Sequence, residues 1–393
     1  VCEDRLYKML DHEWSLMEER LKESRPDATF FVFADTVQAI NYTRTIKGNG
    51  WLGVRFRLSP DGPINDMVIH AKMLDTNNRL QQEVIGILGV NMIYAIFYYN
   101  KNPELMVRSL IDNIKDRVSI DLLRINGNDF SYFDKRLLSL YLVKHQMTTV
   151  SMFDENKKGI HPSEFLYRKS LMVVRGNFKP PTLVTVDVIK NSYSQFVSDT
   201  KEDTQKVLLM MEMTLEYLSN KEGELDEKDF LDRADLLNAL GYKVLLSNCK
   251  NHEMLINYLK DYKISNLGLV IGMHRLYEII LEKYQNNQDG NLLSAFGELF
   301  SKNIKVYAYP AINQENNQVV TASNMIVPEG IEFLYKYLLQ SGQIAPVKEY
   351  NEENLGIYPS DIVDDIKNGG TDWKTKVPKE LVELIQKKSM FEQ

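Results

Sequence analysis

Apolar residues recur at helical spacing through residues 4–24 and predict a long amphipathic helix at the start of the chain. Its apolar positions include Leu6, Leu10 and Trp14, and Pro26 ends the pattern. Three short segments rich in aromatic and branched residues follow at 29–37, 50–58 and 65–74, with turn-forming residues between them. We therefore expect three strands of one sheet after the opening helix.

The middle of the chain continues with a mixture of helices and strands. The pattern predicts helices over 80–99, 103–114 and 132–145, and a strand over 118–125. From residue 207 onward, apolar strands at 207–214, 242–248, 267–274 and 304–310 alternate with amphipathic segments. Alternation at this spacing predicts a parallel sheet with right-handed crossovers.

These elements predict an α/β protein with two sheets: an N-terminal mixed-sheet α/β domain and a C-terminal three-layer domain with a parallel, Rossmann-like sheet. The Pro-Pro pair in the segment between Arg175 and Asp187 is the best candidate for a domain boundary. We expect an N-terminal helix over 1–26, a mixed α/β domain over 27–175, a parallel domain over 188–312 and a helical appendage over 313–393.

Composition and charge narrow the class of protein. The 393 residues are 44% hydrophobic, enough for two or three domains with their own cores. The net charge of -7 disfavours nonspecific nucleic-acid binding. Two cysteines and a charged amphipathic start, without a secretory signal, favour a cytoplasmic location. The uncharged run over 84–100 is short for a membrane span and is interpreted as a buried core helix, so no membrane partner is expected.

The strands after residue 206 end in polar clusters that resemble those of haloacid-dehalogenase-like phosphotransferases. In that fold the first strand ends Asp-x-Asp-x-Thr and the second ends Ser-Asn. Here Ser247 and Asn248 match the second motif, whereas Met210 and Glu212 stand in place of the two acids and Thr214 matches the threonine. A thioether does not attack phosphorus, so ordinary phosphatase chemistry is not expected. The resemblance implies at most a weakly held Mg²⁺ ion, because Met273 follows Gly272 where the family keeps another acid.

Ligands of open α/β sheets bind at the carboxyl ends of the strands. This rule selects candidate ligand-binding residues in the C-terminal sheet: Glu212, Thr214, Ser247, Asn248, Gly272 and His274. A hydroxyl and an amide after a strand can hold a phosphate oxygen. The alternative is that Asn248 caps the following helix, since Asn is a preferred N-cap residue.

A second candidate cluster lies in the N-terminal half. Asp35 ends a predicted strand, and Arg55 and Arg57 alternate along the next one, as His70 and Lys72 do along the third. Such a face could receive an anionic ligand, because the guanidinium group grips phosphate or carboxylate at two points. The alternative is a solvated sheet face balanced by nearby acids.

Other motifs are missing from the sequence. The six histidines show no zinc-ligand spacing, so no metal site is predicted, and there is no Walker A, Gly-x-Gly-x-x-Gly or Gly-x-Ser-x-Gly sequence.

The segments FFVFADTVQA, GWLGVRFRL, QQEVIGILGVNMIYAIFYYN and DFSYFDKRLLSLYLVK are similar to those of a bacterial protein family across nearly the whole chain. Its members are commonly labelled nicotinate-nucleotide adenylyltransferase and sometimes TonB-dependent outer-membrane receptor. Such adenylyltransferases carry a His-x-Gly-His motif near the N-terminus, which this chain lacks. A receptor barrel needs many alternating strands, which the pattern does not predict.

Three hypotheses follow from the sequence. The first is a protein that binds a nucleotide or phosphorylated small molecule in the C-terminal sheet. The second is a noncatalytic homo-oligomer assembled through the N-terminal amphipathic helix and aromatic-rich surfaces. The third is adenylyl transfer, as the label of the resembled family implies.

Overall fold

The protein is described from a computed structural model that covers residues 2–43, 47–219, 223–287, 289–301, 303–314 and 316–392. It falls into two compact units, Val1–Pro162 and Ser163–Gln393. The predicted α/β class is confirmed, with an antiparallel sheet in unit 1 and a parallel sheet in unit 2.

Unit 1 contains a four-stranded sheet in the order β1-β2-β3-β4, with every neighbouring pair antiparallel, and a short β5–β6 hairpin. The predicted strands and helices are all present, with boundaries shifted by a few residues. The elements are α1 (Glu3–Ser24), β1 (Phe31–Gln38), β2 (Asn49–Phe56), β3 (Asn65–Met73), α2 (Asn78–Tyr98), α3 (Pro103–Ser109), β4 (Val118–Asn126), α4 (Arg136–Lys144), β5 (Val150–Phe153) and β6 (Gly159–Ile160).

Helix α1 packs its apolar stripe on one face of this sheet. Leu6, Leu10 and Trp14 are buried there in a cluster with Trp51 and other strand residues. Gly53 makes the close approach of helix and sheet possible, because a Cβ atom at this position would lie 2.8 Å from Leu10 Cδ1. The helical stripe, one of the two features behind the oligomer hypothesis, is therefore covered by the same chain, and oligomer formation stays a prediction.

Helix α2 packs toward the opposite face of the sheet, where Gly89 approaches the ring of Phe33. Within the described residues, α2 is the one helix long and apolar enough to cross a membrane, by length and composition only. In its most apolar window 44% of the residues are buried. The predicted buried core helix thus has a buried side and an exposed side, the latter with Val90, Tyr94 and Tyr98.

Unit 2 alternates strands and helices. After α5 (Pro162–Leu166), which begins at the last residue of unit 1, its elements are β7 (Ser170–Arg175), α6 (Leu183–Thr200), β8 (Val207–Thr214), α7 (Leu215–Leu218), α8 (Glu227–Ala239), β9 (Lys243–Ser247), α9 (His252–Lys260), β10 (Leu267–Gly272), α10 (Met273–Asn286), α11 (Leu292–Leu299), β11 (Ile304–Tyr309), β12 (Ala311–Ile312), β13 (Val319–Val320), α12 (Glu332–Gln340), β14 (Ile344–Pro346), α13 (Pro359–Lys367) and α14 (Lys379–Lys387).

Six strands of unit 2 lie in the order β9-β8-β7-β10-β11-β14, and all five pairings are parallel. Numbered from β7, this is the 3-2-1-4-5-6 order of doubly wound dinucleotide-binding sheets. The haloacid-dehalogenase resemblance would make β8 the first strand, but β7 precedes it in the same sheet. Met210 pairs with Val173 and Lys243 inside the strand and is fully buried, so it is a core residue rather than one at the carboxyl end.

The division between the units differs from the boundary expected at residues 175–187. Strand β7 lies between β8 and β10, so residues 163–175 are part of unit 2. Residues 313–393 also belong to this unit: they supply β14, and α13 and α14 share a core cluster with Leu236 of α8 that includes Trp373 and Leu381. The expected appendage is thus integrated, because its apolar face completes that core.

Candidate functional site

The carboxyl edge of the unit 2 sheet brings together two of the predicted residues and one that the sequence analysis missed. Arg175 and Glu212 are direct neighbours in the β7–β8 register. Arg175 donates through Nε to Glu212 Oε2 and through Nη2 to Oε1, each at 2.8 Å. Ser247 Oγ donates to the same Oε1 at 2.6 Å. The buried carboxylate therefore accepts hydrogen bonds on both oxygens.

These hydrogen bonds occupy both carboxylate oxygens of Glu212, which the sequence analysis expected to bind a ligand. Its charge is balanced by Arg175, and both of its oxygens are engaged, so the residues at this edge do not fit a magnesium ion. Burial and the nearby Glu212 raise the pKa of Cys249 to about 12, so its thiol stays protonated and is a poor nucleophile. The edge is a buried ion-pair network rather than a reactive centre.

The other predicted residues of unit 2 are spread more widely. Thr214 is buried, and its Oγ1 finds no hydrogen-bond partner within the described residues. Asn248 does not cap α9 as expected; the cap is Asn251, whose side chain accepts from Met254 N at 3.0 Å. Gly272 and His274 are exposed at the start of α10, and His274 lines a separate open groove.

A polar cavity of about 390 Å³ lies beside the N-terminus of α9. Its lining includes four asparagines, and its three glutamates outnumber its two basic residues, Arg275 and Lys283. Lys283 is itself paired with Glu253 at 2.5 Å. Because acidic groups prevail, this cavity is a poor receptor for phosphate.

The buried His252 of this cavity gives unit 2 a pH dependence. Burial first, and then the charges of Arg175 and Arg275, lower the pKa of His252 to about 3. In the unfolded chain this imidazole takes up a proton near its ordinary pKa of about 6.5, so the unfolded state gains protons first as the pH falls. We expect His252 to cost the folded state about 1.4 kcal/mol at roughly pH 5.5, relative to neutral pH.

Urea unfolding at neutral pH and at about pH 5.5, for the natural chain and a His252→Gln variant, measures this contribution. The variant should lose part of the acid sensitivity, whereas His12→Gln, at an exposed position, should retain all of it. Equal acid sensitivity in all three proteins would contradict the buried neutral state of His252.

The predicted N-terminal cluster is divided between the two faces of the unit 1 sheet. Arg55 pairs with Asp66 at 2.7 Å and also contacts Asp11 of α1. Arg57 pairs with Glu18 of α1 at 2.8 Å. Asp35 is three residues beyond Val32, the register partner of Arg55, so it lies on the opposite face. Arg55 and Arg57 hold α1 on the sheet rather than forming a ligand site with Asp35.

A second cavity, which the sequence did not indicate, lies within unit 1. It has a volume of about 540 Å³ and is lined by α1, β4, the start of α4 and the β5–β6 loop. Five basic residues and two acidic residues line it; these are Arg124, Lys135, Arg136, Lys157 and Lys158, with Glu3 and Asp134. We call it the Lys135 cavity.

The two acids of the Lys135 cavity are each paired with one of its arginines. Glu3 contacts Arg124, and Asp134 Oδ2 lies 2.6 Å from Arg136 Nη2. The lysines therefore give the cavity an excess of positive charge. Lys135 lies 4.0 Å from the ring centroid of Phe133, and burial lowers its pKa to about 8. No motif could have shown this site, because its basic residues come from three separate segments.

A cluster of three buried side chains also escaped the sequence analysis. Nδ1 of His70 lies 2.6 Å from Asp121 Oδ1, and the ring centroid of His161 lies 4.1 Å from that of His70. The possible ligand atoms of the three residues all lie within 4.8 Å of one another. Burial would raise the pKa of Asp121, but His70 and Lys72 hold it at about 2, whereas burial lowers that of His161 to about 3.

Comparison with known proteins gives little further information about these sites. No protein-family model and no curated protein matches the chain. Among solved structures, a candidate nicotinate-nucleotide adenylyltransferase from Vibrio parahaemolyticus matches at 15% identity and a TM-score of 0.25. The match covers 57% of this chain and 96% of that one. At this level of similarity the comparison identifies a weak structural neighbour and supports no conclusion about activity.

Proposed function

We propose that the protein binds a nucleotide or another phosphorylated small molecule in the Lys135 cavity of unit 1. The observation that carries the proposal is the concentration of five basic residues against two acidic ones around one cavity, in a chain whose net charge is -7. A concave site with one sign of charge attracts oppositely charged ligands and raises their local concentration. Basic side chains also form charge-assisted hydrogen bonds with phosphate oxygens.

The walls of the cavity favour a ligand that has an apolar part beside its phosphate. Leu123, Ile125, Leu138 and Phe153 line the same space as the basic residues. Ligand sites commonly combine apolar walls with a few placed polar groups, and about 540 Å³ falls in the usual size range. A nucleotide fits this combination, with its base against the apolar wall and its phosphates at the lysines.

The Lys135 cavity suits this ligand better than the carboxyl edge of unit 2. At that edge the guanidinium of Arg175 is bonded to Glu212, so the charges there already balance. The cavity next to α9 has more acids than bases. The proposed ligand class is thus the one expected from the sequence, while the proposed site lies in the other unit.

Replacing Lys135 by Gln is expected to weaken the binding of such a ligand by roughly 10-fold to 100-fold, the cost of one hydrogen bond to a charged group. Because the pKa of Lys135 is about 8, the affinity of the natural protein should also fall as the pH rises through that value. The pH dependence should disappear in Lys135→Gln, since the titrating ammonium is gone.

The measurement is isothermal titration calorimetry at several pH values, after a thermal-shift screen of nucleotides, sugar phosphates and inorganic phosphate. Lys101→Gln, at an exposed lysine of unit 1 outside the cavity, is the matched control and should bind normally. If no phosphorylated compound raises the melting temperature, or if both variants bind equally well, the proposal is wrong.

The label of the resembled family selects the first compounds for this screen, ATP and nicotinate mononucleotide. Adenylyl transfer between them must release pyrophosphate, which a coupled assay detects. Binding without pyrophosphate release supports a binding protein, and release that Lys135→Gln abolishes would support transferase chemistry at this cavity.

A further inference from the structure

Three buried side chains from separate parts of unit 1 converge on one point of the sheet face that α1 also covers. His70 lies on β3, Asp121 on β4, and His161 directly after β6. Their exposed fractions are 3%, 1% and 6%. Since their possible ligand atoms lie within 4.8 Å of one another, one small ion could contact all three.

A β-bulge directs Asp121 toward the two histidines. In the β3–β4 pairing His70 is opposite Leu122 and Ala71 is opposite Ile120, so Asp121 is the extra residue between them. A bulge re-aims a side chain that regular alternation would turn to the other face, and bulges are frequent next to functional sites. Without the bulge, the side chain of Asp121 would point to the face opposite that of Ile120 and Leu122, because successive side chains of a strand alternate.

We propose that His70, Asp121 and His161 bind a divalent transition-metal ion of the zinc class. Two imidazoles and one carboxylate are a common zinc ligand set, with a fourth position left for water or substrate. Oxygen-only ions such as Mg²⁺ and Ca²⁺ suit the set poorly, because two of its three donors are nitrogen atoms.

The surroundings of the cluster resemble the support that metal ligands need. Lys72 Nζ lies 3.1 Å from Asp121 Oδ2, the oxygen that does not contact His70, and so fixes the orientation of the carboxylate. The Trp51 ring lies against both imidazoles, with centroid distances of 5.0 Å to His70 and 4.9 Å to His161. Partners of this kind orient ligands and exclude water.

A hydrogen bond joins His70 to Asp121, and the ring of His161 lies against that of His70. The contact of 2.6 Å is that of a short hydrogen bond. In a tetrahedral site with metal bonds of roughly 2.0–2.2 Å, the same two atoms stand about 3.3–3.5 Å apart. Binding therefore requires these two atoms to separate by about 0.8 Å, so that the metal ion takes the place of the proton between them, and a neutral His70 then carries its proton on Nε2.

The test uses the full chain without an affinity tag, stripped of metal by a chelator and titrated with Co²⁺. We expect one equivalent to bind, with the intense visible absorption of four-coordinate Co²⁺, and we expect Zn²⁺ to displace it. His161→Gln should weaken binding by about 100-fold or more, beyond the usual cost of losing an outer partner. His274→Gln, at an exposed histidine of unit 2, should bind as the natural chain does.

X-ray absorption spectroscopy of the zinc-loaded natural chain keeps the test decisive if His161→Gln fails to fold. Two imidazoles in the zinc coordination shell, with an oxygen donor, would support the site. An absence of Co²⁺ absorption, a different imidazole count, or undiminished binding by a folded His161→Gln variant would overturn it.

Discussion

Replacing Arg175 by Met is expected to destabilise unit 2 by about 3–5 kcal/mol, the usual cost of removing one partner from a buried ion pair. Glu212 is fully buried, and the side chain of Arg175 is only 10% exposed. Without the guanidinium, the carboxylate would keep one hydrogen bond, from Ser247, and no balancing charge. The penalty arises from an uncompensated buried charge, rather than from the loss of an attraction alone.

The double variant Arg175→Met/Glu212→Leu separates these two causes. Apolar replacement of a whole buried pair is often neutral or stabilising, so we expect the double variant to recover most of the loss. Urea unfolding measures the change in free energy, and hydrogen exchange of peptides from β7 to β9 assigns it to unit 2. If the double variant is as unstable as the single one, the pair does not act as described.

The exposed pair Lys336–Glu332 provides the control for this experiment. Its side chains are 58% and 45% exposed and are four residues apart on α12. Such pairs contribute about 0.3–0.5 kcal/mol. Lys336→Met should therefore leave the stability of the protein nearly unchanged.

Leu10→Ala is expected to destabilise unit 1 by about 2–5 kcal/mol, since the side chain is fully buried between α1 and the sheet. The complementary change, Gly53→Ala, should cost about 1–3 kcal/mol by overpacking, because the added Cβ would lie 2.8 Å from Leu10 Cδ1 and 3.0 Å from Leu6 Cδ2. The two residues share one space, so their effects should not add.

We expect the double variant Leu10→Ala/Gly53→Ala to lose less stability than the sum of the single variants, since the new methyl group partly fills the cavity. Gly86→Ala is the matched control: this exposed glycine of α2 has no atom within 4 Å of a new Cβ. The same substitution there should stabilise the protein by about 0.5–1 kcal/mol. Strict additivity of the two core changes would show that α1 does not pack on Gly53 as described.

The residues of the candidate sites show where sequence patterns stop being informative. Glu212 and Ser247 were predicted to lie together because parallel strands end at the same edge, and they do. Their partner Arg175 was assigned to the wrong side of a domain boundary, because the Pro-Pro segment after it looked like a linker. Register places it beside Glu212, and register between distant strands leaves no local pattern.

The amino-acid sequence by itself determined the α/β class, the long opening helix, the four strands of the unit 1 sheet, the parallel strands of unit 2 other than β7 and β14, and the parallel pairing in that unit. These features follow from periodicity and turn residues, which are local along the chain. Tertiary structure alone decided the order of the six parallel strands, the pairing of Arg175 with Glu212, the lining of the Lys135 cavity and the meeting of His70, Asp121 and His161. Each of these depends on which distant segments become neighbours and, for Asp121, on one extra residue in a strand, and neither is specified by local spacing.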